Sequence, residues 1–164
     1  STIENPSLRL KKELLSAEDS PVKIQILSKY KALVVGDENG NLWFYHSISG
    51  KLIYLSKENG GLITSLSLNK EKSVLSTGHI DRKINIWHLD KFLNPQGGLL
   101  EDVEIGSSMT IHNNLAIRDL FIMDENWILV TSSYKGYKYG ETGQLQLIPL
   151  NFETASDELL RVLE

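Results

Sequence analysis

Apolar residues fall along the chain in short runs of four to eight, rich in β-branched and aromatic side chains and split by polar breaks. The first group reads Val22–Leu27, Ala32–Val35, Leu42–Tyr45 and Leu52–Leu55, with breaks at Ser28–Lys31, Asp37–Gly40 and Ser49-Gly50. Runs of this length bounded by turn residues predict strands rather than helices. Asn39-Gly40 supplies the positive-φ residues that a tight hairpin uses. Four such strands joined by short turns predict one antiparallel sheet.

The pattern then repeats. Val35-Gly-Asp-Glu-Asn-Gly-Asn-Leu-Trp-Phe-Tyr-His46 aligns without gaps on Thr77-Gly-His-Ile-Asp-Arg-Lys-Ile-Asn-Ile-Trp-His88, every pair 42 residues apart. Val22–Leu27 matches Ile63–Leu68 at a spacing of 41. A third, looser copy uses Ile117–Ile122, Trp127–Ser132 and Gly143–Pro149, lengthened by insertions at Leu93–Gly98 and Tyr134–Gly143. Self-similarity at this period is the mark of a repeat architecture in which each unit is one sheet.

Composition narrows the class. The chain has 164 residues, 41% hydrophobic and 23% charged, with a formal net charge of −4 and no cysteine. That is enough for a globular core and excludes a disordered, collagen-like or disulfide-built chain. No run of 18 apolar residues predicts a membrane-spanning helix. The opening residues show no basic region followed by an apolar stretch, so no signal peptide is expected. A mildly acidic balance gives no general attraction to nucleic acid or anionic lipid.

Gly36…Asn39-Gly40…Tyr45-His46 and Gly78…Asp81…Ile84-Asn-Ile-Trp87-His88 resemble the Gly-x-x-Asp-Gly-x-Ile-x-Ile-Trp-Asp pattern of WD40 repeats. The second unit matches better, and both place His where the pattern ends in Asp. The resemblance implies an all-β fold, part of a WD40-like β-propeller with four-stranded antiparallel blades. On this reading residues 1–20 hold the outer strand of a preceding blade, at Lys12–Leu15. Blades follow at 21–60, 61–106 and 107–152, and 153–164 form a tail. Four units of 42 residues would already exceed 164, and a closed propeller needs about four to eight blades. The chain is therefore expected to be one sector of a larger propeller. Ser156, followed by acids, predicts a short helix in the tail, although an outer strand fits the same stretch.

WD40 blades commonly join Trp, Asp, Ser or Thr and His in a buried network. Carried over, the resemblance implies one among Thr77 (or Ser76), Asp81 and Trp87, with His112 ahead of the third unit and Gly60-Gly61 where the second unit's His would stand. An indole N–H removed from water needs such an acceptor.

Little else in the chain points to chemistry. Ser76, His79 and Asp81 cluster at one turn without the Gly-x-Ser-x-Gly elbow of a nucleophile. His46, His79, His88 and His112 match no zinc-ligand spacing, and the glycine pairs match no phosphate loop. No catalytic residue, metal or cofactor is expected. The segment Tyr134-Lys-Gly-Tyr-Lys-Tyr-Gly140 stands apart, since tyrosine provides contact area at low entropic cost. Tyr134, Lys135, Tyr137, Lys138 and Tyr139 are thus the candidate partner-binding residues. The expected role is a non-enzymatic scaffold subunit binding other proteins, including the segment that supplies the missing blades, without membrane or direct nucleic-acid contact. The resemblance implies a nuclear or cytoplasmic setting. The alternatives are a recognition module for a modified peptide or nucleic acid, for example on chromatin, and an enzyme on a propeller frame.

Overall fold

The computed structural model describes residues 20–57, 61–123, 126–133 and 143–149, and the backbone of 161–163. Among them are three four-stranded antiparallel sheets. The first comprises β1 (Pro21–Leu27), β2 (Ala32–Asp37), β3 (Leu42–His46) and β4 (Leu52–Ser56). The second comprises β5 (Ile63–Asn69), β6 (Val74–His79), β7 (Lys83–His88) and β8 (Met109–His112). The third comprises β9 (Ala116–Ile122), β10 (Trp127–Ser133), β11 (Gln144–Pro149) and β12 (Arg161–Leu163). Strands in each sheet are ordered as in the sequence, so each is a meander. The first strand of each lies against the first strand of the next. This is a stack of propeller blades.

Two sequence expectations are corrected. The second blade takes its outer strand from Met109–His112, beyond the expected boundary at residue 106. Met109 and Ile111 face the core between the second and third sheets, so residues 89–108 are an insertion within the blade. Arg161–Leu163 of the tail form a strand paired with β11, not part of a helix. A free sheet edge presents a row of backbone donors and acceptors that only another strand satisfies. Residues 153–160, like Lys12–Leu15, lie outside the described residues.

The repeat persists in backbone detail where side chains differ. Each first strand carries one bulged residue, Val22, Thr64 or Arg118, read from the register shifts. Lys31 (φ 49°) and Ser73 (φ 54°), 42 apart, both take left-handed backbone before the second strand. Gly40 (φ 86°) and Arg82 (φ 79°), also 42 apart, do so in the second-to-third turn. Asn39 does not, so the hairpin needs one left-handed residue rather than two.

Two cores hold the blades together. Ala32, Val34 and Phe44 of the first blade meet Leu75 and Trp87 of the second, joined by Phe92 and Leu93 from the insertion. Phe44, Trp87 and Phe92 form an aromatic trio, two contacts edge-to-face and one tilted, with centroids 5.7–6.1 Å apart. Between the second and third blades, Val74, Ile84 and Ile86 meet Ile117, Leu120, Ile122, Ile128 and Val130. Glycine sets the spacing: a Cβ on Gly36 would lie 2.9 Å from Ile63, and one on Gly78 2.5 Å from Ile117 Cγ2. At each joint, an isoleucine of the next inner strand fills the space a side chain would occupy.

Candidate functional site

Each blade holds one diagonal polar pair on the equivalent face, with Asp37, His79, Asn85, Ser132 and Gln146 buried and Trp43 half-buried. In the first, Asp37 is fully buried at the end of β2. Its Oδ1 accepts from the Asn39 and Asn41 backbone N–H groups at 2.9 and 2.8 Å. Its Oδ2 accepts from Asn41 Nδ2 and Trp43 Nε1, each at 2.9 Å. Four donors compensate the desolvation of one carboxylate.

In the second blade the same places hold His79 and Asn85, each 42 residues on. His79 Nδ1 donates to the Gly61 carbonyl at 3.2 Å. Its Nε2 is thereby the acceptor, taking the Thr77 hydroxyl at 2.8 Å and the Asn85 amide N–H at 3.3 Å. Thr110 Oγ1 donates to Asn85 Oδ1 at 2.8 Å and so links the outer strand. The partners assign the tautomer. In the third blade Ser132 Oγ donates to Gln146 Oε1 at 3.3 Å.

The residues expected to form one network are only partly brought together. Thr77 is in a buried network, but its partner is His79. Trp87 is buried with its Nε1 lacking any acceptor among the described residues. Asp81 instead accepts from the Lys83 backbone N–H at 3.3 Å and pairs with the Lys83 ammonium at 3.5 Å. His112 is exposed on β8, opposite Lys83. The reason is register: Leu75 faces Trp87, so the indole enters the apolar inter-blade core, two residues from the polar end of its strand. The missed residues are Asp37, Trp43, His79, Asn85 and Thr110. The signal for the first four was in the 42-residue spacing, which superposes Asp37 on His79 and Trp43 on Asn85, whereas Thr110 follows an insertion and carried none.

Ser76 and His79 point to opposite faces of β6, and the Ser76 hydroxyl donates to the Ser67 carbonyl at 3.4 Å. They form no relay with Asp81. Among the described residues no group of three or more His, Asp or Glu could hold a metal ion, and no helix is long and apolar enough to cross a membrane. Tyr134, Lys135, Tyr137, Lys138 and Tyr139 lie outside the described residues.

On the face carrying the first-to-second strand loops, a polar cluster bridges two blades. Lys29 Nζ donates to Asp90 Oδ1 at 2.9 Å and to Ser73 Oγ at 3.1 Å, and the Tyr30 hydroxyl donates to the same Asp90 oxygen. A cleft of about 160 Å³ opens beside it, lined by Ile26, Leu27, Tyr30, Leu68, Lys70 and Leu89. The Tyr30 hydrogen bond, then that of Lys29, hold the Asp90 carboxyl below its ordinary value. Burial, then the Asp90 hydrogen bond, push the Tyr30 phenol above its own. Since the Asp90 value is lower folded than unfolded, its contribution is complete above the ordinary carboxylate value of about 3.9 and vanishes as pH falls through the folded value. Asp90 is exposed, so screening keeps this contribution under about 1 kcal/mol. Asp90→Asn should therefore flatten the loss of stability below about pH 4, read as Tm against pH, and an unchanged slope would remove Asp90 from the bridge.

No protein-family profile matches the chain, and no curated protein sequence does. Solved structures do. The Cps50 (Swd1) β-propeller domain of Myceliophteria thermophila is 12% identical over 88% of this chain, with a TM-score of 0.65. The RRP9 WD40 repeats give 11%, 84% and 0.59, and Saccharomyces cerevisiae Sqt1 gives 12%, 82% and 0.59. The fold is that of a WD40 β-propeller. This chain spans 39%, 37% and 33% of those chains, between about a third and two fifths of each. Against the WD40 pattern, its first two blades keep the glycine and the turn, and the three blades hold Asp37–Trp43, His79–Asn85 and Ser132–Gln146 where the Trp-Asp network would be.

Proposed function

We propose that this chain is a sector of a WD40-type propeller serving as a non-enzymatic scaffold subunit, docking other proteins on its loop rims within a multiprotein assembly. One observation carries the reading. The buried polar side chains Asp37, Thr77, His79, Asn85 and Ser132 are bonded within their own blades, so they hold the frame together and leave contact with partners to the loops. A rigid frame with variable loops suits recognition without bond chemistry. The remaining blades are supplied by polypeptide outside these 164 residues, and the setting is nuclear or cytoplasmic.

Tyr134, Lys135, Tyr137, Lys138 and Tyr139 are the proposed contact residues. Hot-spot tyrosines commonly carry 2 kcal/mol or more, on the order of thirtyfold in affinity. Tyr137→Ala should leave the melting temperature of the purified protein unchanged while depleting at least one co-purifying protein. Equal recovery of every partner would overturn the assignment of this loop.

A further inference from the structure

The two ends of the blade stack both expose apolar residues on their inner strands, but they differ in kind. On β1, Ile24 and Ile26 are 65% and 60% exposed. They stand where the second blade has Leu66 and Leu68, 42 residues on, which pack against the first blade. That end is built like the joints already present.

The opposite end departs from them. Where the third blade meets the second, Ser67 Oγ accepts the Ile122 backbone N–H at 3.0 Å. Gly78, paired with Ser65, leaves room for Ile117. The corresponding places on the outward face of the third blade hold Phe121 and Thr131, the latter paired with Asp119. Phe121 is 61% exposed and Thr131 is exposed. Leu129, directly opposite Phe121, and Leu147, opposite Leu129, extend this apolar face across the blade. A strand arriving as β9 arrives on β5 would drive its isoleucine into Thr131 and its backbone into Phe121.

We infer that the outward face of the third blade docks a further β-sheet blade whose inner strand carries small side chains, Gly, Ala or Ser, opposite Phe121 and Thr131. At this joint Phe121 is the projection and the partner supplies the recess, reversing the polarity of the two internal joints. The occupant is a blade because this face continues a stack of blades whose two existing joints use the same strand and face, and because the matched propellers extend well beyond the matched share. This inference rests on the sector reading above, and its test separates the two.

The chain has no cysteine, so an introduced thiol is unique on it. Thr131→Cys, Ile24→Cys and, as a control, Ile48→Cys (79% exposed) are titrated with a maleimide in the natural-length protein with its associated chains. The thiols at 131 and 24 should react at least about tenfold more slowly than that at 48. Free reaction at 131 with protection at 24 overturns the docking inference and leaves the sector reading intact. Free reaction at both overturns both. Native mass spectrometry showing a second copy of this chain as the occupant overturns the inference as well. Thr131→Gly then reads the packing: against small partner residues it leaves a void and lowers Tm by a few degrees. A rise in Tm would mean that an isoleucine-bearing blade docks there, against the inference.

Discussion

Gly78→Ala is expected to destabilise the protein by about 3 kcal/mol, a fall in Tm of roughly 6–12 °C for a chain of this size. The backbone at Gly78 is ordinary extended strand, where alanine is by itself favoured by about 0.5–1 kcal/mol. The loss comes from crowding, at the joint with the third blade and against the cross-strand neighbour Ser65. The new Cβ would lie 2.5 Å from Ile117 Cγ2, 2.6 Å from Ser65 Oγ and 2.9 Å from Leu120 Cδ2, all in packed strands. Gly36→Ala should cost less, since its contacts with Ile63 begin at 2.9 Å. Combining Gly78→Ala with Ile117→Ala should show favourable coupling of about 1–2 kcal/mol. A Gly78→Ala protein melting at the parental temperature would refute close approach of the third blade.

Trp87→Ala should cost about 3–5 kcal/mol, because it empties the middle of the core between the first two blades. Trp87→Phe should cost only about 1–1.5 kcal/mol. It keeps a ring against Phe44 and Phe92, both 6.1 Å away. It also deletes an indole N–H that is buried without an acceptor among the described residues, so no hydrogen bond is lost with it. Denaturant unfolding of the two variants decides the matter. If phenylalanine costs as much as alanine, the indole is bonded and this account of the second blade is wrong.

Most of the strand order was legible. The predicted runs Val22–Leu27 and Leu42–Tyr45 fall within β1 and β3, and Ile117–Ile122 within β9, because period-two alternation and turn glycines act locally. The network was misread because it depends on a cross-strand diagonal. The sequence makes Trp87 prominent, whereas register sets His79 beside Asn85 and sends the indole into the core. Leu93 read only as the start of an insertion and nothing set Phe92 apart, yet both plug the first core, since proximity to Phe44 exists only once two blades stack. Met109–His112 was assigned to the wrong blade because a four-residue run can pair with whichever free edge the chain reaches.

By itself the sequence determined the unit: four short strands, a turn with a left-handed residue at Gly40, and a glycine at 36 and 78. Those are local consequences of sterics and hydrophobic alternation. Only the tertiary structure decided what the glycines are for, which polar pair each blade buries, and that Phe121 and Thr131 break the pattern at one end. These are relations between strands far apart in the chain, and distances across a joint are fixed by packing rather than by any neighbour in sequence.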